Sequence, residues 1–142
     1  WKNILSIGDS SFERYGLLAA TSAYMQGTTL TSREATVWSP TQEGCWKKVQ
    51  DGHVKKLRAK CCKLVDQPDA SELTVELEMV SRWLEGMVSL DAGFDLDLES
   101  VQDEVQVDII EEVFSAQRPV SDLPRPLFDE TAATGWGSTG LG

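Results

Sequence analysis

Several kinds of residue are scarce in this sequence, and each scarcity excludes a class of protein. No apolar run approaches the roughly 18 residues that a membrane-spanning helix needs, so no transmembrane segment is predicted. Cysteine occurs three times, at Cys45, Cys61 and Cys62, and an odd number with two adjacent members predicts reduced thiols and no disulfide framework. Histidine occurs once, and the polar surroundings of His53 favour a surface residue over a metal ligand.

Basic residues are scarce in the second half of the chain. Residues 1–65 hold ten Lys/Arg against five Asp/Glu, whereas residues 66–142 hold three against eighteen, so the halves carry formal charges of +5 and −15. Seven of the 13 basic residues lie between Lys47 and Lys63. Pairing with the acidic half is the simplest use of this cluster, and the net charge of −10 disfavours a nucleic-acid partner.

The chain has the length and apolar content of one domain, with 142 residues of which 41% are hydrophobic. It begins with Trp1 and not with Met, so we expect the native polypeptide to start further upstream. The compartment stays open between cytoplasm and plastid.

The apolar pattern predicts alternating strands and helices. Residues 3–7 predict a short buried strand, and residues 11–25 predict a helix that ends before a glycine. Residues 57–65 predict a second strand, exposed on one face because lysines alternate there. A weak strand is expected near residues 34–38 and a loop over residues 40–52.

The clearest helix begins after Asp69. Glu72 follows three residues later, the spacing of a capping box, and apolar residues then recur every three or four positions from Leu73 to Val88. This order of elements predicts an α/β fold in which a parallel sheet is flanked by helices.

The character of the chain changes after Gly93. Residues 1–94 are predicted to form an α/β half-domain, and residues 95–142 to form an acidic helix followed by a Pro/Gly-rich extended tail. Within the tail, Phe128 and Trp136 are expected to anchor the chain on neighbouring proteins, because aromatic residues are enriched at interfaces.

The segment Gly8-Asp9-Ser10-Ser11-Phe12-Glu13 is the main candidate site. Asp9 ends the first predicted strand and Glu13 lies in the first turn of the helix, so both carboxylates could hold Mg²⁺. The structural alternative is that Asp9 caps the helix and Glu13 favours its N-terminal dipole. The residue types alone leave both alternatives open.

The stretch ILSIGDSSFERYGLLAA resembles the fourth motif of the haloacid dehalogenase (HAD) superfamily of phosphatases and phosphotransferases. That resemblance implies a Rossmann-like parallel sheet and a Mg²⁺ site at Asp9 and Glu13, although Glu13 departs from the commoner aspartate. The later stretch KLVDQPDASELTVELEMVSRWLEGMVSLDAGFDLDLE is similar to the closing strand and helix of large HAD-like proteins common in dinoflagellates and related protists.

The motif that carries HAD catalysis is missing. The family's nucleophile lies in DxDx(T/V) after an apolar strand, and the only D-x-D here, Asp95-Leu96-Asp97, is expected to lead into the acidic segment after the last helix. The resemblance thus implies a non-catalytic accessory or scaffolding subunit of a larger protein assembly, which could be a photosynthetic supercomplex of a protist at the membrane periphery. The alternative is the C-terminal half of a Mg²⁺-dependent phosphatase whose nucleophile lies upstream.

Overall fold

The computed structural model describes residues 2–30, 39–40, 45–50 and 52–124 of the chain. Its strands, in chain order, are β1 (Lys2–Gly8), β2 (Ser39–Pro40), β3 (Trp46–Gln50), β4 (His53–Lys63) and β5 (Phe94–Asp97). Its helices are α1 (Ser11–Leu30), α2 (Ala70–Ser89) and α3 (Glu104–Phe114), with short 3₁₀ turns at Leu98–Ser100 and Val120–Asp122. The chain is therefore a mixed α/β protein with an open sheet, and the predicted fold class is confirmed at that level. None of the helices described combines the length and apolar character needed to cross a membrane.

The longest strand, β4, lies at the centre of the sheet. β1 pairs with one edge of β4 in parallel register, from Lys2 opposite Leu57 to Gly8 opposite Lys63. Two strands share the other edge, because β3 pairs antiparallel with the first half of β4 and β5 pairs parallel with its second half. β2 continues the sheet by pairing antiparallel with β3. The predicted parallel sheet is thus limited to β1, β4 and β5.

A strand, β3, occupies part of the segment predicted as a loop over residues 40–52. It forms a hairpin with β4, in which Trp46 pairs with Leu57 and Val49 with Val54. Gly52 adopts the positive φ of 76° that this turn needs and that glycine accepts readily. The loop prediction was wrong because two lysines separate the two apolar residues of β3. The weak strand predicted near residues 34–38 lies outside the described residues.

Helices cover both faces of the sheet. Successive side chains of a strand point to opposite faces, so Asp95 and Leu96 of β5 identify the two sides. Leu96 lies in the main core with α2 and α3, whereas Asp95 bonds to Arg14 of α1. The core comprises the following buried side chains: Cys62, Leu64, Val80, Trp83, Met87, Phe94, Leu96, Leu98, Ile110, Val113, Phe114 and Leu123.

The capping box predicted at the start of α2 is confirmed. The Asp69 carboxylate accepts a hydrogen bond from the Glu72 amide at 2.8 Å, and the Glu72 carboxylate accepts one from the Asp69 amide at 3.0 Å. Both bonds satisfy amides that have no partner within the helix.

The lysine-rich strand β4 is enclosed from Leu57 onward, so the prediction that residues 57–65 are exposed on one face was wrong. Lys60 is completely buried, and its Nζ donates to the carbonyls of Met87 at 2.6 Å, Val88 at 3.1 Å and Leu90 at 2.8 Å. These bonds match the three donors of an ammonium group, and a cation at a helix C-terminus is favourable. Lys60 therefore acts as an internal cap for α2.

The boundary predicted after residue 94 falls inside the folded unit. β5 pairs with β4, and α3 packs so closely on α2 that a Cβ at Gly86 would lie 2.3 Å from the Phe114 carbonyl oxygen. Residues 95–123 therefore belong to the same core and are not an extension, because the apolar side of the acidic helix is buried against α2. The part of the Pro/Gly-rich tail from residue 125 onward, including Phe128 and Trp136, lies outside the described residues.

Candidate functional site

The candidate site lies where the three parallel strands end. The register places Gly8, the last residue of β1, beside Lys63 of β4, and Lys63 beside Asp97 of β5. The Gly8 carbonyl also accepts a hydrogen bond from the Leu64 amide at 2.8 Å. Asp9 directly follows β1 and so stands at the carboxyl edge, where ligands bind in open α/β sheets.

Glu13 is held at the start of α1 by hydrogen bonding to the backbone. Its Oε2 accepts a hydrogen bond from the Ser10 amide at 3.1 Å, while Ser10 Oγ accepts one from the Phe12 amide at 3.0 Å. A Cβ at Gly8 would lie 2.6 Å from Glu13 Cγ, so glycine leaves the space in which Glu13 folds back. The cap residue is therefore Ser10 and not Asp9, and the Glu13 side chain, three residues later, reaches back to the Ser10 amide as the acid of a capping box does.

The described residues do not form a built magnesium site at this edge. Asp9 is exposed, and one oxygen of Glu13 is already bonded to the Ser10 amide. Across the described ranges, no group of three or more His, Cys, Asp or Glu side chains is arranged to hold a metal ion. Mg²⁺ demands near-octahedral oxygen coordination, which these two carboxylates do not supply by themselves. The assignment of Mg²⁺ to Asp9 and Glu13 stays a prediction.

The D-x-D sequence lies on a sheet strand, which corrects its expected position after the last helix. Asp95 and Asp97 are two residues apart on β5 and share one face of the sheet. Arg14 of α1 donates hydrogen bonds to the Asp95 carboxylate. Its Nε lies 2.9 Å from both oxygens, and its Nη2 lies 2.5 Å from Oδ2. Asp95 therefore links α1 to β5, and this bidentate geometry is the strongest form of ion pair.

The second aspartate belongs to a compact polar cluster with Lys63 and Glu99. Asp97 Oδ1 accepts from the Glu99 amide at 3.0 Å, and Lys63 Nζ lies 3.3 Å from Glu99 Oε2. Burial raises the pKa of Asp97, while its bond from the Glu99 amide and the nearby Lys63 charge oppose that rise. The bond from the Asp66 amide, at 2.8 Å, lowers the pKa of Glu99 and outweighs its partial burial. These contacts tie together the loops that follow β4 and β5.

The three cysteines, all within the described residues, are buried and form no disulfide with one another, as predicted for reduced thiols. Burial raises the pKa of both Cys61 and Cys62 to about 12, so neither is a thiolate near neutral pH. Cys45 Sγ donates to the Asp91 carbonyl at 3.6 Å. The thiols of Cys61 and Cys62 are therefore packed groups that stay protonated near neutral pH.

Sequence reasoning missed two buried cations, Arg14 and Lys60. Arg14 lies one residue after the acid that drew attention to the motif, and its partner Asp95 is 81 positions away. Lys60 lies between Ala59 and Cys61 in a short apolar run, and these apolar neighbours are the feature of the sequence that could have predicted its burial. Neither pairing can be read from local spacing, because the partners meet only through the sheet.

Comparison with known proteins gives no relative for this chain. No family model, curated protein or solved structure matches it. Function is therefore inferred from the geometry at the carboxyl edge and on the surface.

Proposed function

We propose that this chain is a non-catalytic, HAD-like accessory or scaffolding subunit of a larger protein assembly. The observation that carries the proposal is the use of Glu13 as a helix cap. A magnesium site built on this motif would use carboxylate oxygens of Asp9 and Glu13, whereas here one oxygen of Glu13 already accepts from the Ser10 amide and Asp9 is exposed. The other acids of the edge are also engaged, since Asp95 is paired with Arg14 and Glu99 with Lys63.

Exposed apolar side chains support a role in protein binding. They lie on the three helices and on β1, β3 and β4, and include Phe12 with 85% of its surface exposed. Contiguous exposed apolar patches on a protein surface are typical of sites that bind other proteins. Other subunits are the proposed partners, and the resemblance to protist proteins extends this proposal to a photosynthetic supercomplex.

A Mg²⁺ titration followed by calorimetry, with an Asp9→Asn variant as control, tests the proposal. We expect no saturable heat for either protein, because the described residues do not form a built site. Saturable Mg²⁺ binding that is lost in Asp9→Asn would favour the competing proposal, the C-terminal half of a phosphatase whose nucleophile lies upstream.

A further inference from the structure

We propose that the outer edge of β1, together with an apolar stripe on α2, forms the contact surface of a homodimer. In this dimer the β1 strands of two copies pair antiparallel about a two-fold axis and join their sheets. The inference rests on the proposed role as an assembly subunit and names a second copy of the chain as a partner.

The outer edge of β1 is open. β1 pairs with β4 on one side, and no strand among the described residues pairs with its other side. Its register with β4 is continuous from Lys2 to Gly8, so no bulge bends this edge away, and residues 3–8 contain neither a charge nor proline. Edge strands of soluble proteins usually carry such features to prevent pairing. Residues 3–8 lack a bulge, a charge and a proline, so nothing in this edge opposes pairing with another strand.

An apolar stripe on α2 runs beside this edge. We define the α2 stripe by Leu73, Leu77, Leu84 and Val88, each with 36 to 51% of its surface exposed. Their spacing of four, seven and four residues places them on one side of the helix.

The α2 stripe lies on the β1 side of the helix. Asn3 Nδ2 of β1 donates to the Val88 carbonyl at 2.9 Å, which places the end of α2 next to the start of β1. Gly86, on the other flank of α2, contacts Phe114 of α3. Ile7, which shares the α2 face of β1 with Asn3, is 37% exposed and extends the apolar surface onto the strand.

The distribution of charge favours a second copy as the occupant. In a two-fold contact each residue meets the same surface of its partner, so charges near the axis would face like charges. The stripe and residues 3–8 are uncharged, and antiparallel pairing centred on Leu5 places Lys2 opposite Gly8 of the partner. The acidic helix α3 packs on the far flank of α2, which keeps the carboxylates of the two copies apart.

The dimensions of the surface suit a dimer. Seven residues of β1 span roughly 23 Å at about 3.3 Å per residue. The sheet with a helix layer on each face is roughly 30 Å thick at about 10 Å per layer. Multiplied together, this length and thickness give the face of the protein beside β1 an area of about 700 Å² per chain. Stable interfaces bury roughly 600–1,000 Å² per partner, so the face is large enough for a dimer.

Sedimentation equilibrium of the full chain over a wide concentration range tests the homodimer. We expect the wild type to approach twice its monomer mass of 15.7 kDa. Leu77→Asp, on the stripe, should weaken dimerisation at least tenfold. Val75→Asp is the matched control, because Val75 lies two residues away on another side of the same helix and is 54% exposed against 48% for Leu77. It should dimerise like the wild type.

Ile7→Lys provides a second variant if Leu77→Asp loses its helical circular dichroism. It places a charge on the strand itself and should also shift the population to monomer. A monomeric wild type at every concentration, or equal dimerisation of the stripe variants and Val75→Asp, would overturn the homodimer. A monomeric wild type would leave the non-catalytic role to be decided by the Mg²⁺ titration, so the two failures are distinguishable.

Discussion

Gly86 is the position at which the packing of α2 on α3 can be tested most directly. A Cβ at this residue would lie 2.3 Å from the Phe114 carbonyl oxygen, 2.8 Å from Phe114 Cβ and 3.0 Å from its carbonyl carbon. Two of these three atoms belong to the backbone, so rotation of a side chain cannot relieve the contact. Gly86→Ala therefore requires α3 to move away from α2 and opens the core between them.

The expected cost follows from two opposing terms. Overpacking of a well-packed contact costs typically 1–3 kcal/mol, and a backbone clash as close as this belongs at the upper end. Alanine is favoured over glycine in a helix by about 1 kcal/mol, which offsets part of that cost. We expect Gly86→Ala to lower the free energy of unfolding by about 2 kcal/mol.

Gly16 provides the matched control, because it also lies inside a helix but an added Cβ would have no heavy atom within 4 Å apart from those of its own chain neighbours and helix backbone. Gly16→Ala should raise the free energy of unfolding by roughly 0.5–1 kcal/mol through helix propensity alone. Urea unfolding followed by tryptophan fluorescence measures the free energy of unfolding of both variants. The comparison requires that the slope of this free energy against urea concentration, the m-value, is the same in the two proteins. A Gly86→Ala protein as stable as Gly16→Ala would show that α2 and α3 do not pack as described.

Two further predictions concern buried ionisable groups. Lys60→Met keeps the length of the side chain but removes the hydrogen bonds that Lys60 donates to three carbonyls at the end of α2. Urea unfolding should therefore show a free energy of unfolding that is lower by about 2–4 kcal/mol. An unchanged free energy of unfolding would contradict the role of Lys60 as an internal cap. The pKa of Cys62 rises from 9.0 to about 12 on folding, so above pH 9 the unfolded state loses its proton first and stability falls with rising pH. Between pH 7 and pH 10 the wild type should therefore lose about 1.4 kcal/mol relative to Cys62→Ala. A difference between the two proteins that stays constant over this range would refute the raised pKa.

Local patterns were sufficient to predict the elements that depend on local signals. The apolar run of residues 3–7 lies within β1, and the Asp69–Glu72 spacing marks the start of α2. Both signals involve residues that are neighbours in sequence, so the local preference can be read without knowing the tertiary contacts, and here it agrees with the fold.

The misplaced elements depend on contacts between distant residues. β3 contains two lysines and only two strongly apolar residues, and its pairing with β4 outweighs that weak pattern. The sequence of residues 95–97 looks like the start of the acidic segment that follows. In the structure these residues form a strand, because Asp95 pairs with Arg14 and the backbone pairs with the edge of β4. At the candidate site, the sequence placed Asp9 after a strand but could not show that Ser10 would provide the cap.

The pairing of the second half of β4 on both edges also determines how a protease can cleave this chain. Two trypsin cleavage points, Lys60 and Lys63, lie where β4 pairs with β1 on one edge and with β5 on the other. A protease needs an extended, unpaired segment, so the peptide bonds after these two lysines are protected until the sheet itself separates. Tryptic cleavage there therefore reports on the opening of the central sheet, and its rate tracks the population of that open state.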